Sequence, residues 1–217
     1  LNASDGNGNS ASCSFTVTLK DVMAPVLICP ANRTVNLNVN CQASLANYIS
    51  LSTVSDNCTA PTSIIRTQSP ATGTTLNGVG LTVVAITATD AVGNMTTCTF
   101  HVLRADVIVP TITCPTTRTL ELGAGCVATL PDYTSLASAS DNCTAAADLL
   151  KTQVSPAPGS TVSGLGTTIV TLRATDASGK SKTCTFNVSR VDSAAPYCGN
   201  APQHDAGLED RQAVEYQ

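Results

Sequence analysis

Thr82-Val83-Val84-Ala85-Ile86-Thr87-Ala88-Thr89-Asp90 returns 86 residues later as Thr168-Ile169-Val170-Thr171-Leu172-Arg173-Ala174-Thr175-Asp176. Setting the two copies side by side separates two faces. Val84, Ile86 and Ala88 stay apolar as Val170, Leu172 and Ala174, whereas Ala85 and Thr87 become Thr171 and Arg173. Successive side chains of an extended chain point to opposite faces, so the persistently apolar parity faces a core and the other parity faces water. The same alternation places Cys98, Phe100 and Val102 inward, and Cys184, Phe186 and Val188 after them. With turn residues at short intervals elsewhere, the pattern predicts an all-β sandwich.

The duplication extends over most of the chain. Cys29, Cys41, Cys58 and Cys98 recur as Cys114, Cys126, Cys143 and Cys184, at offsets of 85, 85, 85 and 86. Ser55-Asp56-Asn57-Cys58-Thr59-Ala60 recurs as Ser140-Asp141-Asn142-Cys143-Thr144-Ala145. A fixed period of this size outranks local signals and indicates a repeat array. We divide the 217 residues into 1–20, the C-terminal part of a preceding repeat; 21–105 and 106–191, two complete repeats; and 192–217, the start of a further module or a linker. In the first segment Asp5, Cys13, Phe15 and Val17 align with Asp90, Cys98, Phe100 and Val102. The connections Lys20–Pro25 and Leu103–Pro110 are short and carry no Gly or Ser run, which predicts a stiff end-to-end rod.

Composition excludes several classes. Eleven Lys and Arg against fifteen Asp and Glu leave no basic face for phosphates, and 3% aromatics without Trp leave no stacking platform, so nucleic acid is not an expected partner. Ser and Thr make up about a quarter of the chain, as in sheets with one wet face. No run reaches the eighteen apolar residues of a membrane span. Ten Cys, placed in register between copies, point to an oxidising compartment, and without a CxxC pair or a nearby His pair zinc is not expected. Only two His occur: His101 takes the outward parity, and His204 beside Asp205 lacks a nucleophile in a recognisable context. The chain is not expected to be an enzyme.

Four cysteines per repeat allow three connectivities. Leu27 and Cys29, like Ile112 and Cys114, share the inward parity, which favours Cys29 with Cys98 and Cys114 with Cys184. Cys41 with Cys58 and Cys126 with Cys143 then form local pairs, and Cys13 and Cys198 are left without an in-frame partner.

The signposts Asp21-(three residues)-Pro25, Cys29-Pro30, Asp56-Asn57-Cys58, Gly73, Ala88-Thr89-Asp90-Ala91-Val92-Gly93-Asn94 and Cys98-Thr99-Phe100 resemble the hyalin repeat, and the second copy carries them through Asp106, Pro110, Cys114-Pro115, Asp141-Asn142-Cys143, Gly159, Asp176 and Cys184-Thr185-Phe186. It departs at Gly179-Lys180, where the first copy has Gly93-Asn94. The extra cysteine pair is similar to the form found in large Bacteroidota surface proteins, including gliding-motility adhesins. The resemblance implies tandem immunoglobulin-like β-sandwiches at the cell surface or secreted, a structural stalk or filament, and no catalysis.

Two further roles are set beside the stalk: a multivalent module binding surface polysaccharide or another surface protein, and a non-catalytic appendage of a secreted enzyme. The neighbouring repeats of the same chain are the first expected partners. Asp90 and Asp176 read as turn residues whose carboxylates bond nearby N–H groups. Calcium is the alternative reading for the acids, with Asp21, Asp106 and Asp192 joining Asp56 or Asp141 across a repeat junction.

Overall fold

The computed structural model describes residues 1–193; the assignments made for Cys198, His204 and the rest of 194–217 lie outside the described residues. The chain is all-β. A short hairpin comes first, β1 (Asn2–Ser4) with β2 (Ser10–Ser12). The first repeat holds β3 (Val26–Ile28), β4 (Arg33–Asn36), β5 (Gln42–Ser44), β6 (Thr53–Ser55), β7 (Ile65–Ser69), β8 (Thr75–Asn77), β9 (Gly80–Thr89) and β10 (Met95–Ala105). The second holds the same eight in the same order: β11 (Thr111–Thr113), β12 (Arg118–Glu121), β13 (Val127–Thr129), β14 (Ser138–Ser140), β15 (Leu150–Ser155), β16 (Thr161–Ser163), β17 (Gly166–Thr175) and β18 (Ser181–Val191).

In the first repeat a four-stranded sheet runs β4-β10-β9-β7, and the ladders β3-β6 and β5-β8 supply the opposing layer. The second repeat matches it with β12-β18-β17-β15, β11-β14 and β13-β16. In both, the first strand changes layer at a Cys-Pro step. Proline has no N–H to donate, so the ladder of β3 or β11, which ends at Ile28 or Thr113, is not resumed past Pro30 or Pro115, and the chain joins the other sheet as β4 or β12. β12 lies parallel to β18, from Arg118 opposite Val188 to Glu121 opposite Val191.

Each core combines both layers. Val84, Ile86, Phe100 and Val102 of the four-stranded sheet meet Leu45, Tyr48 and Leu76, with Leu27, Cys29 and Cys98 packed against them. Leu130, Tyr133, Ala137, Val170, Leu172, Phe186 and Val188 build the second core, with Ile112, Cys114 and Cys184 at its edge. The parity read from Thr82–Asp90 is the one observed: Val84, Ile86 and Ala88 are fully buried while Val83 is 55% exposed. Phe15 and Val17, aligned with the buried Phe100 and Val102, are both 70% exposed, because no opposing layer among the described residues covers them.

The single-residue difference between the repeats is a β-bulge. Gln68 precedes Ser69, and β7 pairs with β9 without interruption. In β15 the register shifts between Gln153 and Ser155, so Val154 is the extra residue, unpaired and 45% exposed. The residues around it keep their roles: Gln68 Oε1 accepts from the Tyr48 N–H at 2.8 Å, and Gln153 Oε1 from the Tyr133 N–H at 3.0 Å.

By compactness the chain forms two units, Leu1–Val35 with Ala43–Arg104, and Asn36–Gln42 with Ala105 onward. The 36–42 turn therefore groups with the second unit, an assignment that repeat arithmetic does not foresee.

Candidate functional site

At the β9–β10 turn, Asp90 Oδ1 accepts from the Val92 N–H at 3.0 Å and the Asn94 N–H at 2.8 Å, and Oδ2 accepts from Asn94 Nδ2 at 2.7 Å. Asp5 builds the same turn with Asn7 and Asn9. Burial pushes the Asp90 carboxyl up, but the bonds from the Asn94 side chain, the Asn94 N–H, the Val92 N–H and the Gly93 N–H outweigh it and hold the group below the ordinary aspartate value. The second repeat departs from this. Lys180 stands where Asn94 stands and offers Asp176 Oδ1 only its backbone N–H, at 2.7 Å, leaving Asp176 Oδ2 buried without a hydrogen bond.

Two other motifs arrive at the same place. Asp21 Oδ1 caps the linker by accepting from the Met23 N–H at 3.1 Å. Asp56 Oδ2 accepts from the Cys58 and Thr59 N–H groups at 3.0 and 2.8 Å. Thr59 Oγ1 in turn accepts from the Ala91 N–H at 3.3 Å, which ties the Asp56 loop to the Asp90 turn. In the second repeat Asp106 Oδ1 accepts from Ile108, Asp141 Oδ2 from Cys143 and Thr144, and Thr144 Oγ1 from Ala177.

The outcome is a three-carboxylate cluster in each unit, Asp21-Asp56-Asp90 and Asp106-Asp141-Asp176, with one oxygen from each acid lying within 4.8 Å of the others. This corrects the junction arrangement expected from sequence. Asp21 joins Asp56 inside the first unit, Asp106 joins Asp141 inside the second, and Asp192 is in neither cluster. The missing third members are Asp90 and Asp176, read from sequence first as turn residues and left out of the junction set. A turn aspartate takes the turn's backbone N–H groups on one oxygen, and which other loops its carboxylate meets is set by tertiary packing; the available signal was that all three Asp motifs occur in both copies.

Cys29 is bonded to Cys98 and Cys114 to Cys184, with Cα separations of 5.8 and 5.7 Å, each crossing a core from first strand to last. The local pairs Cys41–Cys58 and Cys126–Cys143 are corrected. Cys41 is bonded to Cys143, at a Cα separation of 4.9 Å. The cause is the turn after β4: Asn38 Oδ1 accepts from the Asn40 and Gln42 N–H groups, and Cys41 adopts a left-handed φ of 56°. That geometry carries Cys41 to the Asp141–Thr144 loop, where Asn142 Nδ2 also donates to Asn38 O at 3.0 Å. Cys58 is an exposed thiol, as is Cys13. Desolvation, followed by the negative charge of Asp21 and Asp56, pushes the Cys58 thiol above its ordinary value.

No catalytic constellation forms among the described residues around His101, which is exposed. Tyr48 and Tyr133 are buried at 8% and 6% exposure and pack edge-on against Phe100 and Phe186, so neither offers a face to a sugar. No helix among the described residues is long and apolar enough to cross a membrane.

Two disulfide-stapled β-sandwiches in tandem are the architecture of extracellular adhesion-type repeat modules, which are typically non-catalytic. The HYR domain profile matches residues 20–103 and 105–190, and the chain belongs to that family. No curated protein matches it. Among solved structures, a Drosophila N-cadherin EC1-4 structure is similar at 16% identity over 78% of this chain and 50% of that one, with a TM-score of 0.40. Mouse Cadherin-23 EC22-24 is similar at 14% identity over 77% and 67%, TM-score 0.39, and Protocadherin Gamma C5 EC1-3 at 15% over 76% and 68%, TM-score 0.36.

Proposed function

We propose that this chain is a load-bearing length of a long extracellular adhesin, a stalk or filament of tandem repeats such as large Bacteroidota surface and gliding-motility proteins carry. The observation that supports the reading is the placement of the core-crossing disulfides. Cys29–Cys98 and Cys114–Cys184 close loops of 69 and 70 residues, so nearly all of each sandwich lies off the shortest covalent path along the chain. Under tension the loops stay closed while the short linkers bear the extension. Neighbouring repeats are the immediate partners in this reading, and adhesion is multivalent or carried by other parts of the protein.

Single-molecule stretching with and without reductant tests it. Each core bond hides roughly 230–250 Å of contour at about 3.3–3.6 Å per residue. Reduction is expected to lengthen each unfolding step by that amount and to lower the unfolding force. Force traces indifferent to reductant overturn a mechanical role for the bonds.

A further inference from the structure

We propose that each repeat holds one calcium ion on its three-carboxylate cluster, and that the second repeat binds it more tightly. Three sequence-distant motifs, the linker Asp, the Asp-Asn-Cys-Thr loop and the Ala-Thr-Asp-Ala turn, bring their acids within 4.8 Å of one another in both units. Structural turns alone do not require this convergence, because each carboxylate already takes the backbone N–H groups of its own turn on a single oxygen. The other oxygens are what point to a ligand. Asp106 and Asp176, both members of the cluster, are 4% and 6% exposed, yet Oδ2 of each is buried without a hydrogen bond. Asp141 Oδ1 is in the same condition, and so is Oδ1 of the adjacent Asn142. Asp21 Oδ2 and Asp56 Oδ1 repeat the pattern in the first unit.

Buried, unpartnered anionic oxygens gathered together are unfavourable unless a cation joins them. Hard oxygen ligands select a hard cation. Three carboxylates, completed by carbonyl or water oxygens, suit the six to eight ligands and flexible geometry of calcium, whereas magnesium retains more of its waters and takes few protein carboxylates. The repeats differ at one ligand: Asn94 Nδ2 occupies Asp90 Oδ2 at 2.7 Å, and Lys180 leaves Asp176 Oδ2 open. This difference sets the order of affinity.

The test is calorimetric titration of the chelator-stripped 217-residue chain with calcium chloride to about 10 mM, a range that covers the roughly 10⁻⁴–10⁻³ M constants of extracellular calcium modules, together with its melting temperature in EDTA and in calcium. Two ions per chain and a higher melting temperature in calcium are expected, with D141N removing the tighter ion and D56N the weaker. Circular dichroism confirms that each variant is folded. An unmodified chain that melts identically in EDTA and calcium overturns the proposal whatever the variants do. Calcium binding retained by the D56N/D141N double variant, or magnesium binding as tightly as calcium, also overturns it.

Discussion

Cys41 and Cys143, 102 residues apart and in different sequence repeats, are covalently joined. The bond depends on the left-handed turn at Cys41 and on the Asp141 carboxylate that positions the Cys143 and Thr144 N–H groups. A non-reduced digest is therefore expected to yield one linked peptide containing Cys41 and Cys143, with Cys58 recovered as an alkylated thiol. A peptide linking Cys41 to Cys58 would refute the arrangement. The other two bonds shorten the loop this one closes, so its removal in C41S/C143S should cost about 4 kcal/mol in the chain-entropy model, read by urea denaturation.

The ring of Tyr48 stands edge-on to Phe100, with centroids 5.3 Å apart and planes at 81°. Truncating Phe100 to Ala removes the largest apolar side chain of that core and should cost about 3–5 kcal/mol. A double-mutant cycle with Tyr48→Leu should return a coupling of about 0.5–1.5 kcal/mol beyond the separate burial losses. Strict additivity would mean that the ring geometry contributes nothing.

Arg66 Nη1 donates to the carbonyls of Ile49 and Ser52 and to Ser52 Oγ, at 3.1, 2.9 and 3.1 Å. The second repeat replaces the pair by Lys151 and Ala137, with Lys151 Nζ donating to Ala137 O at 2.9 Å. Arg66→Ala should lose about 1–3 kcal/mol by removing the donor to the part-buried Ser52 carbonyl, whereas Ile49 O keeps the Ser52 hydroxyl and N–H. The paired exchange R66K/S52A should be better tolerated than R66K alone, because it reproduces a combination already used in this chain. Equal melting temperatures for the single and double variants would argue against the coupling.

Deleting Val154 removes the bulge and restores the spacing of the first repeat, so the chain should keep its fold, with a loss within about 1 kcal/mol. Deleting Gln153 instead removes the acceptor of the Tyr133 N–H and the donor to Pro156 O, and should destabilise clearly more. Thermal melts of the two deletions compare them directly; similar melting temperatures would show that the extra residue is not confined to the bulge.

Burial pushes the Tyr133 hydroxyl above its ordinary value, with Arg118 opposing. A group whose folded pKa is raised contributes stability below its unfolded pKa and loses it as pH rises through the folded one. Stability should therefore decline above about pH 10. Tyrosinate absorbance is expected to show a late-ionising component in the folded chain that the Y133F variant lacks. Loss of the late component in urea would tie it to the fold.

Strand character and core parity were readable because a two-residue period combined with duplication exposes which side chains face inward: Val84, Ile86 and Ala88 tolerate only apolar exchange, Ala85 and Thr87 do not share that limit. The same parity brought Cys29 opposite Cys98. Neither Cys41 nor Asp90 could be read this way, since both lie in turns. Their placement follows from Asx hydrogen bonds and a positive φ, which periodicity does not register.

The sequence alone determined the repeat, the sandwich and the two faces of its long strands, since these depend on local periodicity and on a comparison between copies. Tertiary structure alone decided that Cys41 bonds Cys143, that Val154 is absorbed as a bulge, and that Asp90 joins Asp21 and Asp56. Those outcomes turn on where loops distant in sequence meet, and a loop's direction is set by a few dihedral angles and hydrogen bonds to neighbours that the linear order of residues does not specify.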